Sequence, residues 1–532
     1  MEGRKVTPYE VLSAAVPVVI AAGLFILVVQ ALSTGRDRAT AVKTGIGCSL
    51  MAIVALVVIL GASGGSGGGP DGPDDPDVPV TDYTLSGGFL TLNGDVPAYS
   101  GNAPWRNSDV GLIVVSDDVH SIGSGAFADL DSDVLFEGTP RMAGSAFSHP
   151  FASDPVEGGY YMVSAGYYVL VPEVPEDMYT YTVSSGAATL TGISDSWERP
   201  ECFVMKVPTE NYNRYPVTKF NGMSGEGVSP FRGVRAVFSD SIESSGNYAF
   251  NNCTTLKCVS LSAIASTAQN MFKYCSSLEA LSIPAAATIG NYCFHYCSSL
   301  SSVSLPAATA VNQYAFQYCS SLSSVSLPAA TAVNNYAFSN CLSLESVSLP
   351  AAASIGGYSF NGCTSLKDVS MPLATSIGEY AFTSCVSLES VYMPSVSTIN
   401  QIAFQSCASI AVFDLSSAVT INGNAFRYAW GVQEARFGDG LTTVATSSFV
   451  SWTFYDSTGT TTISKTAEAL AGKHFMGTYA ALIEVPEGEQ SLSPEMLRKV
   501  ADLTEAAEEA RKSLASPDDD EHLPGGDPEE EP

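Results

Sequence analysis

Few residues in this chain have types and spacing suited to chemistry. Its five histidines, His120, His149, His295, His474 and His522, stand in no motif order with a serine or cysteine that would pair a nucleophile with a base. His295 occupies a variable position after a recurring phenylalanine and is expected on the surface. Gly64-Gly-Ser66-Gly-Gly68 spells the G-x-S-x-G nucleophile elbow, but it has no strand pattern before it and no helix pattern after it, so it reads as linker. Asp129-Leu-Asp131-Ser-Asp133, with Glu137, has the spacing of oxygen ligands for Ca²⁺. It lacks the Gly at position six and the Glu at position twelve of an EF-hand loop, which leaves Asp129, Asp131 and Asp133 a weak candidate set beside a solvated loop. The twelve cysteines include no C-x-x-C pair and no Cys/His spacing of a zinc site. These residues lead us to expect no catalytic group, no cofactor and no enzyme.

Charge narrows the partners. The formal net charge is −30, and it lies in the segment 63–532, because the segment 1–62 is slightly basic. Binding to nucleic acid is not expected, since phosphate contacts need clustered Lys and Arg. The same charge also keeps a chain soluble.

The elements that would have to position a site are repeats. Cysteines recur at a constant step, at 253, 275, 297, 319, 341, 363, 385 and 407, and phenylalanines recur at the same step from 250 to 426. A fixed period of this length marks a solenoid, in which coils too small to bury their apolar groups alone share one core. Leu300, Val303 and Leu305 have the L-x-x-L-x-L spacing of a leucine-rich repeat strand, and Pro306 ends that strand. The fold class expected is thus a β-rich leucine-rich repeat solenoid, with β-hairpin caps and two transmembrane helices before it. Equivalent cysteines about 4.8 Å apart are within disulfide reach, but parallel side chains on one ladder rarely meet the torsion, so buried thiols are expected.

Three ladders on this solenoid could meet a ligand. Between the inward Val and Leu of each strand an outward position gives Ser260, Ser282, Ser304, Ser326, Ser348, Ser370, Tyr392 and Asp414. Two residues before each phenylalanine stand Tyr292, Tyr314, Tyr336, Tyr358 and Tyr380, and two after it Tyr274, Tyr296 and Tyr318. The serines either hydrogen-bond an extended ligand or form a plain solvated face. The tyrosines either bind or stack along the solenoid edge.

The motif Cys-x-Ser-Leu-x-x-Val-Ser-Leu-Pro followed by Ile-Gly-x-Tyr-Ala-Phe resembles the BspA-like (Treponema-type) leucine-rich repeat proteins of host-associated microbes. The resemblance spans about 105–450 and is tight from 250 to 426. It departs from the general leucine-rich pattern at Ala308, where Asn or Cys is usual, so an Asn ladder is not assumed. The resemblance implies adhesion, with an extracellular protein or glycan as partner. The competing reading is a structural envelope spacer without a specific ligand.

Taken in order, residues 1–62 form a membrane anchor. The uncharged run 11–32 and the apolar run 46–62 each approach the length that spans a bilayer. Arg36, Arg38 and Lys43 between them place that loop in the cytoplasm and the repeats outside. Residues 63–80 are a Gly/Ser/Pro/Asp linker, and 81–175 a short repeat-like module opening with a hairpin at 83–94. Residues 176–230 hold a similar hairpin, from 181 to 192, and an insertion with no assigned fold. Residues 231–450 are the solenoid of about ten coils and 451–486 its C-terminal cap. Residues 490–516 are an amphipathic helix with Ser493 as N-cap and Leu497, Val500 and Leu503 on one face, and 517–532 an acidic tail.

Overall fold

The computed structural model describes residues 83–514 apart from short internal stretches at 100–102, 107, 143–144, 152–157, 165–166, 212, 226 and 228. The expected spans 11–32 and 46–62, the linker and the acidic tail lie outside the described residues. Among the described residues no helix is long and apolar enough to cross a membrane.

Each coil of the repeat contributes one strand of three or four residues, such as Ser302–Ser304, and one of two residues, such as Ala310–Val311. The strands pair in parallel with their equivalents in the next coil, Val303 with Val325 and Val311 with Val333. Leu300, Val303, Leu305, Ala308, Val311, Phe316 and Cys319 all point inward and are buried. The apolar period therefore closes the coil, and Ala308 is small enough for the corner after Pro306.

The phenylalanines stack as one column. Neighbouring rings from Phe250 to Phe426 have centroids 5.1–5.7 Å apart and planes within 13°. The column continues to Phe449, 5.2 Å from Phe426, although the chain step between these two is one position longer than the repeat. The cysteines behave as buried thiols. From Cys275 to Cys407 each ladder Sγ donates to the carbonyl of the phenylalanine 25 residues earlier, at 3.1–3.3 Å, which links adjacent coils.

The segment 193–230 is a coil in its own right. Phe203–Lys206 joins the strand face beside Val234–Ser239, and Val217–Phe220 joins the opposite sheet beside Ala187–Ile193. Phe231 stacks on Phe250 at 4.9 Å. The two similar hairpins consequently have different neighbours. Tyr83–Ser86 and Phe89–Leu92 lead into Leu112–Val115, whereas Tyr179–Ser184 and Ala187–Ile193 lead into Val217–Phe220.

The six-stranded N-terminal sheet, ending in the antiparallel pair Gly159–Ser164 and Tyr167–Leu170, lies against the strand face of the first coils. Phe89, Leu112, Val114, Leu135 and Tyr160 from the sheet pack with Val204, Ala236, Cys258 and Ala280 from the solenoid. At the other end, Glu434–Phe437 pairs antiparallel with His474–Thr478, which ends the parallel stacking. The helix Pro494–Leu514 docks there through Met496 and Val500, packed with Ile483, Val485 and Leu492. Ser493 caps it by accepting from the Met496 N–H at 3.2 Å. The expected apolar face is corrected by one position: Leu497 is 54% exposed, because docking selects the stripe through Met496 and Val500.

Candidate binding surfaces

The outward serine row runs along a continuous strand face. Ser304 pairs with Ser326, Ser326 with Ser348, Ser348 with Ser370 and Ser370 with Tyr392, in register. Ser304, Ser326 and Ser370 are half-buried, while Ser348, Tyr392 and Asp414 are exposed. Beside them are the exposed charges Glu345, Lys367, Asp368 and Glu389, which periodicity in serine alone did not single out. Ser260 and Ser282 belong to coils where the parallel outward positions Cys258 and Ala280 are fully buried under the N-terminal sheet. The hairpin strand Tyr83–Ser86 still approaches Ser302–Ser304, and the open strand face begins at Ser324. The signal in the sequence is the change from Ala236, Cys258 and Ala280 to Ser302, Ser324 and Ser346 at equivalent positions.

The tyrosine rows have a backbone signature. Tyr292, Tyr314, Tyr336, Tyr358 and Tyr380 all have φ between +55° and +59°, and Tyr274, Tyr296 and Tyr318 between +59° and +63°. Each coil therefore turns through two left-handed positions, and the residues found there elsewhere include Asn252, Asn270, Asn340 and Gly362. Asn and Gly suit this conformation, whereas an ordinary side chain costs about 1–2 kcal/mol. The first row recovers part of that by stacking, with centroids 4.4–4.7 Å apart and planes within 10°. Burial, then the neighbouring phenols Tyr336 and Tyr380, push the Tyr358 hydroxyl up to about 12. These five rings are half-buried, which fits edge stacking more closely than a free aromatic platform.

His295 is not on the surface: it is 6% exposed. Tyr274, Tyr292, Tyr296 and Tyr318 surround it at centroid distances of 4.5–5.9 Å. Its Nδ1 is buried without a hydrogen-bond partner. The position after each phenylalanine lies between the two left-handed turns and so faces inward between the tyrosine rows, which spacing alone did not reveal.

The three aspartates considered for Ca²⁺ do not converge. Asp129 meets Arg106 at 3.2 Å and Asp131 meets His149 at 3.1 Å. Asp133, 1% exposed, meets Arg235 at 2.8 Å. Each carboxylate is taken up by a different side chain, and only Asp133 lies in a strand, Asp133–Phe136, while Asp129 and Asp131 sit in the loop before it. Among the described residues no group of three or more His, Cys, Asp or Glu side chains forms a metal cage.

Residues 234–341 and 331–454 match the family described as BspA type Leucine rich repeat region, in six copies. No curated protein matches the chain. Solved structures similar to it include a leucine rich cell surface protein from Faecalibacterium prausnitzii, at 21% identity over 56% of this chain and 93% of that one, with a TM-score of 0.31. Another is a leucine-rich repeat protein from Bacteroides ovatus, at 21% identity over 50% of this chain and 89% of that one, TM-score 0.27. The T. pallidum leucine-rich repeat protein is 20% identical over 45% of this chain and 90% of that one, TM-score 0.28.

Proposed function

We propose that this chain, whose residues 234–454 form a BspA-type leucine-rich repeat region, is a membrane-anchored cell-surface scaffold that mediates adhesion by holding an extended protein or glycan ligand. In this reading 11–32 and 46–62 anchor the chain, 81–175 is a short first module and 231–450 the main solenoid. The ligand lies across the strand face from Ser326 to Asp414.

One observation carries the reading. The same strand face is already used within the chain to seat a sheet on its first coils, and from Ser324 onward it continues with hydroxyls and charges in register. Parallel rows of donors and acceptors at strand spacing suit an extended partner. Tyr392, 40% exposed on the row, supplies the amphipathic contact that binding surfaces favour.

The test is an array of host-matrix proteins and glycans probed with the full chain and with Tyr392→Ala/Ser348→Arg. Binding lost in that variant and kept in Tyr314→Ala/Tyr336→Ala supports a strand-face adhesin. A folded chain that binds nothing on the array overturns it and favours the spacer. Labelling a cysteine introduced near residue 80 with an impermeant thiol reagent on intact cells tests the exterior placement, and no labelling would refute it.

A further inference from the structure

A second recognition site lies on the turn edge, away from the strand face. Asn252, Thr254, Tyr274, Ser276, Tyr296 and Ser298 line a cavity of about 290 Å³ that spans three coils. It has two rims. One is made of the residues two after each phenylalanine, Asn252, Tyr274 and Tyr296, all left-handed. The other is made of the hydroxyls Thr254, Ser276 and Ser298. Between the rims each coil turns a fully buried cysteine inward, Cys253, Cys275 or Cys297.

The lining varies more than the fold demands. The left-handed position accepts Asn, Gly, Ser or Tyr, and the second rim accepts many residues. Farther along, the same two positions are Asn340 and Leu342, Ser384 and Val386, Tyr428 and Trp430, where the second rim is apolar. In the coil that follows Tyr296, Tyr318 still faces the hydroxyl of Ser320, so the cavity marks where the tyrosine row begins, beside Asn252. Tyr274 begins its aromatic row, since the preceding coil has Asn252 at that position, and Tyr296 next to it is 40% exposed. Lys273 Nζ lies 4.8 Å from the Tyr274 ring centroid and His295 packs on Tyr296 at 4.5 Å, which fixes both rings from behind.

The lining has no charged side chain, which disfavours phosphate and carboxylate ligands. The cavity is an open groove whose volume falls just below the roughly 300–1,000 Å³ of enclosed ligand pockets, enough for a single ring of a longer chain. A ring edged with hydroxyls and bearing one apolar C–H face matches both rims. Tyr296 is already stacked on Tyr318 at 4.5 Å, so it is the negative face of Tyr274, at the start of the row, that meets the C–H groups, while Asn252, Thr254, Ser276 and Ser298 exchange hydrogen bonds with the hydroxyls. The geometry points to a neutral pyranoside subsite at Asn252, Tyr274 and Tyr296, taking one sugar ring of a glycan.

The test uses the full chain in a detergent without a sugar headgroup, with methyl β-galactopyranoside, cellotetraose and triacetylchitotriose as probes. Saturation transfer from tyrosine ring protons to sugar C–H protons is the readout. Transfer to at least one probe is expected, with apparent affinity falling at least tenfold in Tyr274→Asn and in Tyr296→Asn. Tyr358→Asn, in the other row, leaves it unchanged. Asparagine keeps the left-handed turn, as Asn252 and Asn340 do, so loss of binding in the folded variants is loss of the site. No transfer to any of the three sugars, or transfer unchanged in both variants, overturns the assignment. The strand-face test is independent, because Tyr392→Ala/Ser348→Arg does not touch this cavity.

Discussion

Asp133 and Arg235, 102 residues apart, meet in a bidentate ion pair at the seam between the N-terminal sheet and the solenoid, with N–O distances of 2.8 and 3.0 Å. Tyr160 donates to the same carboxylate at 2.6 Å, and Lys257 approaches it at 3.5 Å. Breaking such a pair leaves buried charge uncompensated, at about 3–5 kcal/mol. Asp133→Ala is expected to lose about 3 kcal/mol in urea denaturation and to speed amide exchange in Leu112–Val115 and Asp133–Phe136. Unchanged exchange there would show that apolar packing alone holds the seam.

The hairpin turn at Gly87 rests on the solenoid: its carbonyl accepts from the Leu281 N–H at 2.9 Å. A Cβ at Gly87, where φ is +57°, would come within 2.3 Å of the Leu281 oxygen. At Gly186, in the similar second hairpin, φ is +81° and nothing lies within 4 Å. Gly186→Ala should cost about 1 kcal/mol, the left-handed penalty alone. Gly87→Ala should cost clearly more, because backbone must move. Equal midpoints for the two variants in thermal melts would refute the docked turn.

The thiols offer a chemical check. Of the eleven described cysteines ten are buried and Cys202 alone is partly exposed. Burial raises the ladder thiols, Cys363 up to about 12, and thiolate is the reactive form. Maleimide near neutral pH should label Cys202 and spare the other ten until urea unfolds the chain. Early labelling of Cys319 or Cys341 would contradict a closed core.

Acid should weaken the molecule through His295. Burial, and then the charge of Lys273, lower its pKa to about 3 from the usual 6.5. Below pH 6.5 the unfolded chain therefore takes up a proton that the folded chain refuses, and stability falls as pH drops toward 3. At pH 5 the loss is about 2 kcal/mol. His295→Gln, which installs the residue type of Gln317 and Gln405 at equivalent positions, should flatten that part of the pH–stability curve.

The solenoid could be read from the chain because every coil repeats the same inward chemistry. Leu300, Val303, Leu305 and Phe316 recur at one period, and a solenoid is the arrangement that lets such a period share a core. The tyrosine rows were visible as spacing too, but their left-handed backbone was not, since Tyr is a poor marker of a conformation that Asn and Gly announce. The inward turn of His295 followed from that backbone. The seam was decided only in three dimensions. Asp133 reads as one of three acids in a loop, and Arg235 as an ordinary strand residue, until the sheet folds over the first coils and buries both. The sequence thus determined the repeating unit, through interactions within and between adjacent coils. Tertiary structure decided which part of the strand face is covered and which stays open, because that depends on one long-range docking event that no period records.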